Sequence, residues 1–472
     1  MKAANFISQR LGFSNAQAAA IQQMGVVPFL KKSFEGPLSI STPKFMEDAP
    51  KTRGEYRDLR KMDELAKKKA IVTENLRVAG LSHAWVENMH TNAFPLREKM
   101  TFFWHNHFVS SFKKTKISWA MWQQNQLFRT FAFGNYRELT RQILTDNAMI
   151  VYLDNTQNRA KAPNENLSRE LLELFTLGVG NYTEIDIKEG ARALAGLNID
   201  DEKARYYPIL EDNGEKHYLG KKGNWKADDL VRLIFEHPRA GRRLMEKFLK
   251  FFMTDNPSVQ LIEDYTSAFR KADFEIKPML EKLVNDDRFL KSQGDKIKDP
   301  LSFLLTTLHE FNMDIPRARQ LVPYFRAQDM VLFSPPNVKG WDGGTTWLSS
   351  QKLLHRCGIV ATLASGKSLE NFKFKLQQMD AMEDMEMSDS AQLNKPNTGQ
   401  KTPILTWDKS LINNKLIIQN FSERLIFNVS KDMQTDMEQV LKYDFNPSEM
   451  NAQQAVARLV EYLMKAPEYQ LI

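Results

Sequence analysis

Apolar residues recur along this chain mostly at three- and four-residue intervals, the spacing of a helix with one buried face. "SNAQAAAIQQMGVVPFLKKSF" starts behind Ser14 as a helix cap, and 56–86 reads as one or two long amphipathic helices with Leu59, Met62, Leu65 and Ala66 on one side. Further helices are expected at 97–108, 119–133, 136–144, 163–177 and 185–194, joined by turns short enough for antiparallel neighbours. Helical spacing resumes at Ala227 and continues to Ala327. The exception is "YYPILEDNGEKHYLG", where an Asp-Asn-Gly turn between 206–210 and 216–219 predicts a small hairpin.

The fold expected from this pattern is all-α: a large multi-helix, bundle-like body with a small β-hairpin excursion and a disordered acidic insertion. Five stretches organise it. They are an N-terminal helical region (1–197), the hairpin excursion (198–225), a second helical region (226–375), a mobile Met-rich acidic insertion (376–403) and C-terminal helices that pack back on the body (404–472). The second helical region contains "FSPPNVKGWDGGTTWLSS", whose prolines, glycines and tryptophans require an irregular loop.

Charge and composition narrow the function classes. The 65 basic and 58 acidic residues leave a net charge of +7, but the basic residues are interleaved with acids instead of gathered into a stripe, so no nucleic-acid partner is expected. Cys357 is the single cysteine, which excludes an internal disulfide and a cysteine-based zinc site. No apolar run reaches the ~18 residues of a membrane span, and none at the start has signal-peptide length; an exported form would already have lost its signal.

Four constellations could carry chemistry. In "REKMTFFWHNHF" the pair His105 and His107 invites a metal reading, but residues two apart on a helix point about 200° apart. His107 falls with Met100, Phe103 and Trp104 on the apolar side and is expected to be buried, while His105 is expected to point elsewhere. In "PNENLSRELLELFTLGVG", Asn166, Glu170 and Glu173 share a ridge beside Arg169. That ridge, met by His107, would suit a divalent metal ion or paired acid and base steps; it would equally suit a surface ridge paired to basic groups. In the Gly/Trp loop, Asn337, Gly340, Trp341 and Trp347 form either a pocket wall or a packed structural loop, and the spacing matches no phosphate or dinucleotide loop. The methionines of "MDAMEDMEM" are soft ligands for Cu(I), or simply part of a linker.

The blocks "REKMTFFWHNHFVSS", "NAMIVYLDN", "NENLSRELLELFTLGVGNYTEIDIKEGARALAGL", "FSPPNVKGWDGGTTW" and "LMKAPEYQLI" resemble, in order and across almost the whole chain, the bacterial domain-of-unknown-function 1800 family. The resemblance implies a mostly helical bacterial protein, periplasmic or otherwise exported, encoded near a phosphatase-like or sulfatase-like partner. It carries no catalytic role, but it maps the family's recurrent polar positions to His105, Asn106, His107, Asn164, Glu165, Asn166, Arg169, Glu170 and Glu173, and to Asn337, Gly340, Trp341 and Gly344. This chain departs from it at Phe175, Leu197, Glu211 and Asp212, where many members have histidines, a tryptophan or a His-Asp pair.

Two functions compete on these grounds. One is an envelope-associated interaction or accessory protein with a polar pocket, working with the phosphatase-like or sulfatase-like partner. The other is a metal-assisted hydrolase or transferase in which His107, Glu170 and Glu173 hold the ion, Asn166 and Arg169 assist, and Trp341, Trp347, Asn337 and Gly340 line the substrate pocket.

Overall fold

Helix starts in this chain are written in its polar residues. Asn135, Asp146, Ser258 and Asp299 each accept a hydrogen bond from a first-turn N–H of the helix that follows, and Thr52 with Glu55 and Thr183 with Asp186 form reciprocal capping boxes. The computed structural model describes residues 2–372 and 401–472. Over these the fold is mostly α-helical, as the hydrophobic spacing requires. The insertion expected at 376–403, with its methionines, lies outside the described residues except for its last three positions. No described helix is long and apolar enough to cross a membrane.

The long apolar stretch expected over 56–86 forms two helices, Arg53–Lys61 and Glu64–Thr91. Asp63 separates them by capping the second through the Ala66 N–H. The β-excursion pairs differently from the expected register. Leu197–Asn198 pairs with Arg205–Tyr206, and the hairpin itself joins Lys216–Tyr218 to Lys221–Gly223. The Asp-Asn-Gly turn closes no ladder because Pro208 opens a 3-10 turn over Pro208–Leu210, and the Lys216 ammonium gathers the Asp212 and Gly214 carbonyls at 2.7 and 2.9 Å.

Two hydrophobic cores meet at one helix, Leu96–His107, eleven of whose twelve residues are buried. Leu96, Met100, Phe103 and Trp104 enter a core built largely from 4–289, and Phe102 enters a second one completed by 301–469. Even this helix's charges are inside. Glu98 pairs with Arg129 and accepts from the Trp85 indole N–H at 2.9 Å, while Arg97 donates to the Arg129, Phe34 and Gly36 carbonyls. Such burial is tolerable only because each charge is paired or hydrogen-bonded.

Candidate functional site

The last turn of the central helix places three polar side chains in three directions, and each grips a different backbone segment. His105 does not face away from the protein: it is buried in the second core, against Trp85, Phe333 and Trp341. Its Nε2 accepts the Phe333 N–H at 3.2 Å, and burial lowers its pKa to about 3, so it stays neutral. The helical wheel gave its direction relative to His107 correctly, but a helix covered on all sides has no outward face.

Asn106 is the second anchor. Its Oδ1 accepts the Trp341 N–H at 2.8 Å and fixes the Gly/Trp loop on the helix. Gly340 makes this contact possible, because a Cβ at its φ of +89° would lie 2.1 Å from that same oxygen. Trp341 then stacks on Phe102 with ring centroids 5.5 Å apart.

His107 faces the other core, as its spacing predicts. The segment expected as one helix over 163–177 is an α-helix at Asn166–Glu170 that widens into a π-helix at Leu171–Thr176 and stops at Gly178, φ +83°. At that end the Phe175 carbonyl accepts from His107 Nε2–H at 3.1 Å and from the Tyr136 hydroxyl. A carbonyl only accepts, so Nε2 carries the imidazole proton and Nδ1 keeps a lone pair. Nδ1 has no hydrogen-bond partner among the described residues, and burial together with Lys247 and Arg243 holds the ring well below its ordinary pKa.

The acidic ridge lies apart from this imidazole nitrogen. Asn166 is exposed and donates to Asp154 at 3.2 Å; Arg169 pairs with Glu165 and Glu184, and Glu173 accepts from the Tyr182 hydroxyl at 3.0 Å. Glu170 is half-buried, and burial with the neighbouring Glu173 raises its pKa. Among the described residues no group of three or more His, Cys, Asp or Glu side chains is gathered as a metal ion would require, so His107, Glu170 and Glu173 are not brought together as ligands. The positions where the family resemblance suggests other residues are structural here: Phe175 packs beside His107 with centroids 6.2 Å apart, Leu197 is buried, Glu211 pairs with Lys226, and Asp212 with Arg192 at 2.8 Å.

What the structure does assemble is a cavity of about 760 Å³ between the two cores. Asn106, His107, Trp341 and Trp347 line it, together with Phe102, Phe103 and Phe251. Asn337 is exposed and holds the approach to this wall by accepting the Lys339 N–H at 2.8 Å. Neither it, Gly340, Asn166, Arg169, Glu170 nor Glu173 lines the cavity.

The wall also carries Arg10, Lys99, Arg243, Lys247, Lys250, Lys296 and Lys339, against the acids Asp255, Asp295, Asp299 and Asp342. Several of these cations lack a carboxylate of their own. Among the described residues the buried Lys99 ammonium donates to the Ser302 hydroxyl at 3.4 Å and lies over the Phe13 and Phe251 rings. Burial lowers it to about 8. Glu246 takes both Arg243 and Lys250, at 3.2 and 2.9 Å, which leaves Lys247 between them with no hydrogen bond or ion pair among the described residues. Burial, then Arg243, lowers Lys247 to about 7. The Trp341 indole N–H is also buried and unpartnered.

One family pattern, described as "Protein of unknown function (DUF1800)", matches residues 7–471. The chain belongs to the DUF1800 family. No curated protein and no solved structure matches it. For this DUF1800 protein, the family's HNH turn and Gly/Trp loop are thus two halves of one construction, joined through Asn106 and Trp341.

Proposed function

We propose that this DUF1800 protein is a ligand-binding protein whose cavity takes an anionic small molecule with a flat apolar part. The observation that carries this reading is the unbalanced charge of the wall: among the described residues Lys99 and Lys247 form no ion pair, in a place where desolvation outweighs the pull of Asp299 and Glu246 and disfavours their charged forms. An uncompensated inward cation is costly, and a bound anion removes the cost. The Trp341 and Phe251 faces supply the apolar surface, and the volume falls in the range of small-molecule sites.

The accessory role beside a phosphatase-like or sulfatase-like partner is compatible with this chemistry, since phosphate and sulfate esters are anions of the right kind. A metal-assisted reaction by His107, Glu170 and Glu173 has less support, because among the described residues they are not gathered as ligands and neither carboxylate lines the cavity. Thermal unfolding in sodium phosphate, compared with sodium chloride at equal ionic strength, tests the proposal. Saturating phosphate should raise the midpoint by roughly 2–4 °C. Lys247→Gln should reduce the rise, and Lys431→Gln, on a remote exposed helix, should not. An equal midpoint in both salts would overturn the reading.

A further inference from the structure

Resting on that anion-binding cavity, we infer that Lys247 is a carbonyl-reactive amine, and that the ligand class includes small anionic aldehydes or 2-oxo acids that it can bind as an imine. The argument begins with helix spacing. Arg243, Lys247 and Lys250 fall at i, i+4 and i+7 on Arg242–Phe252, a same-sign stripe that weakens an isolated helix. Glu246 pairs with the outer two, its single negative charge shared between them, and leaves the central one with no ion pair among the described residues and lining the cavity.

An amine so placed is desolvated and set among cations, two conditions that favour its neutral, nucleophilic form. The same cations would hold the carboxylate or phosphate of a carbonyl compound beside it. His107 lines the same cavity, its buried Nδ1 without a hydrogen-bond partner among the described residues and its ring kept neutral, so it adds no further positive charge beside the amine. The step balances: the Nζ lone pair forms a C–N bond to the carbonyl carbon, and the carbonyl oxygen leaves as water with the two amine protons.

The test incubates the full chain at neutral pH with pyruvate and sodium cyanoborohydride, which reduces an imine to a stable secondary amine, and then locates the adduct by peptide mass spectrometry. Lys247 should be modified roughly tenfold faster than the exposed Lys250 or Lys339. Phosphate should slow its labelling, and Lys247→Arg, which keeps the charge, should remove the fast site. Labelling of Lys247 no faster than that of Lys250 would overturn the inference. If phosphate still raised the unfolding midpoint in that case, the anion-binding cavity would stand without the amine chemistry; if it did not, both would fall.

Discussion

Residues 105, 106 and 107 show how much depends on what covers a helix. Their directions follow from 3.6 residues per turn, and the burial of His107 was legible from Met100, Phe103 and Trp104 on its side. The burial of His105 was not, because Trp85, Phe333 and Trp341 come from distant parts of the chain. Asn106 gave no periodic signal, yet it joins the two motifs. Its contact makes Gly340→Ala a sharp test: with a Cβ 2.1 Å from Asn106 Oδ1 and a backbone at φ +89°, the substitution should cost roughly 3 kcal/mol in urea unfolding. The buried amines predict a pH dependence of stability. Burial holds Lys247 near 7 and Lys99 near 8 in the folded state. Both lie below the unfolded value of about 10.4, so between about pH 7 and 10 the unfolded chain binds more protons and stability rises with pH. Urea midpoints at neutral and alkaline pH should show this rise, and Lys247→Gln should flatten it.

Among the elements, the helices were readable from their spacing, but the cap read at Ser14 was not borne out: the helix there is Ala18–Met24 behind Gln17, and Ser14 Oγ accepts the Ala16 N–H in the turn before it. The π-helix at Leu171–Thr176 was not, since its end is satisfied by His107 and Tyr136 from elsewhere. The acidic ridge was visible, but its partners were not: spacing puts Glu170 and Glu173 near each other without saying that Tyr182 and Glu184 organise the surface around them. The cationic stripe on Arg242–Phe252 was equally visible, and three like charges at helical spacing were the available sign of the cavity. Close packing gives another test. At Gly190 a Cβ would meet Ser168 Oγ at 2.2 Å and Tyr218 at 3.1 Å, so Gly190→Ala should separate Asn166–Glu170 from Glu184–Ala193 and cost about 2 kcal/mol, read from the shift in denaturation midpoint.

At the scale of the molecule, helical periodicity decided the fold class, and no local pattern could decide where two cores would leave a gap. The cavity draws on the helix Lys2–Leu11, the central helix, Arg242–Phe252, the 294–299 segment and the Gly/Trp loop, which no window of sequence joins. Its charge is the central claim, and the most direct measurement is a crystal of the protein soaked in selenate, an anion located by its anomalous scattering. The account predicts a site inside the cavity within hydrogen-bond distance of Lys247, weakened in Lys247→Gln. Selenate bound only at exposed surface lysines, with the cavity holding none, would contradict it.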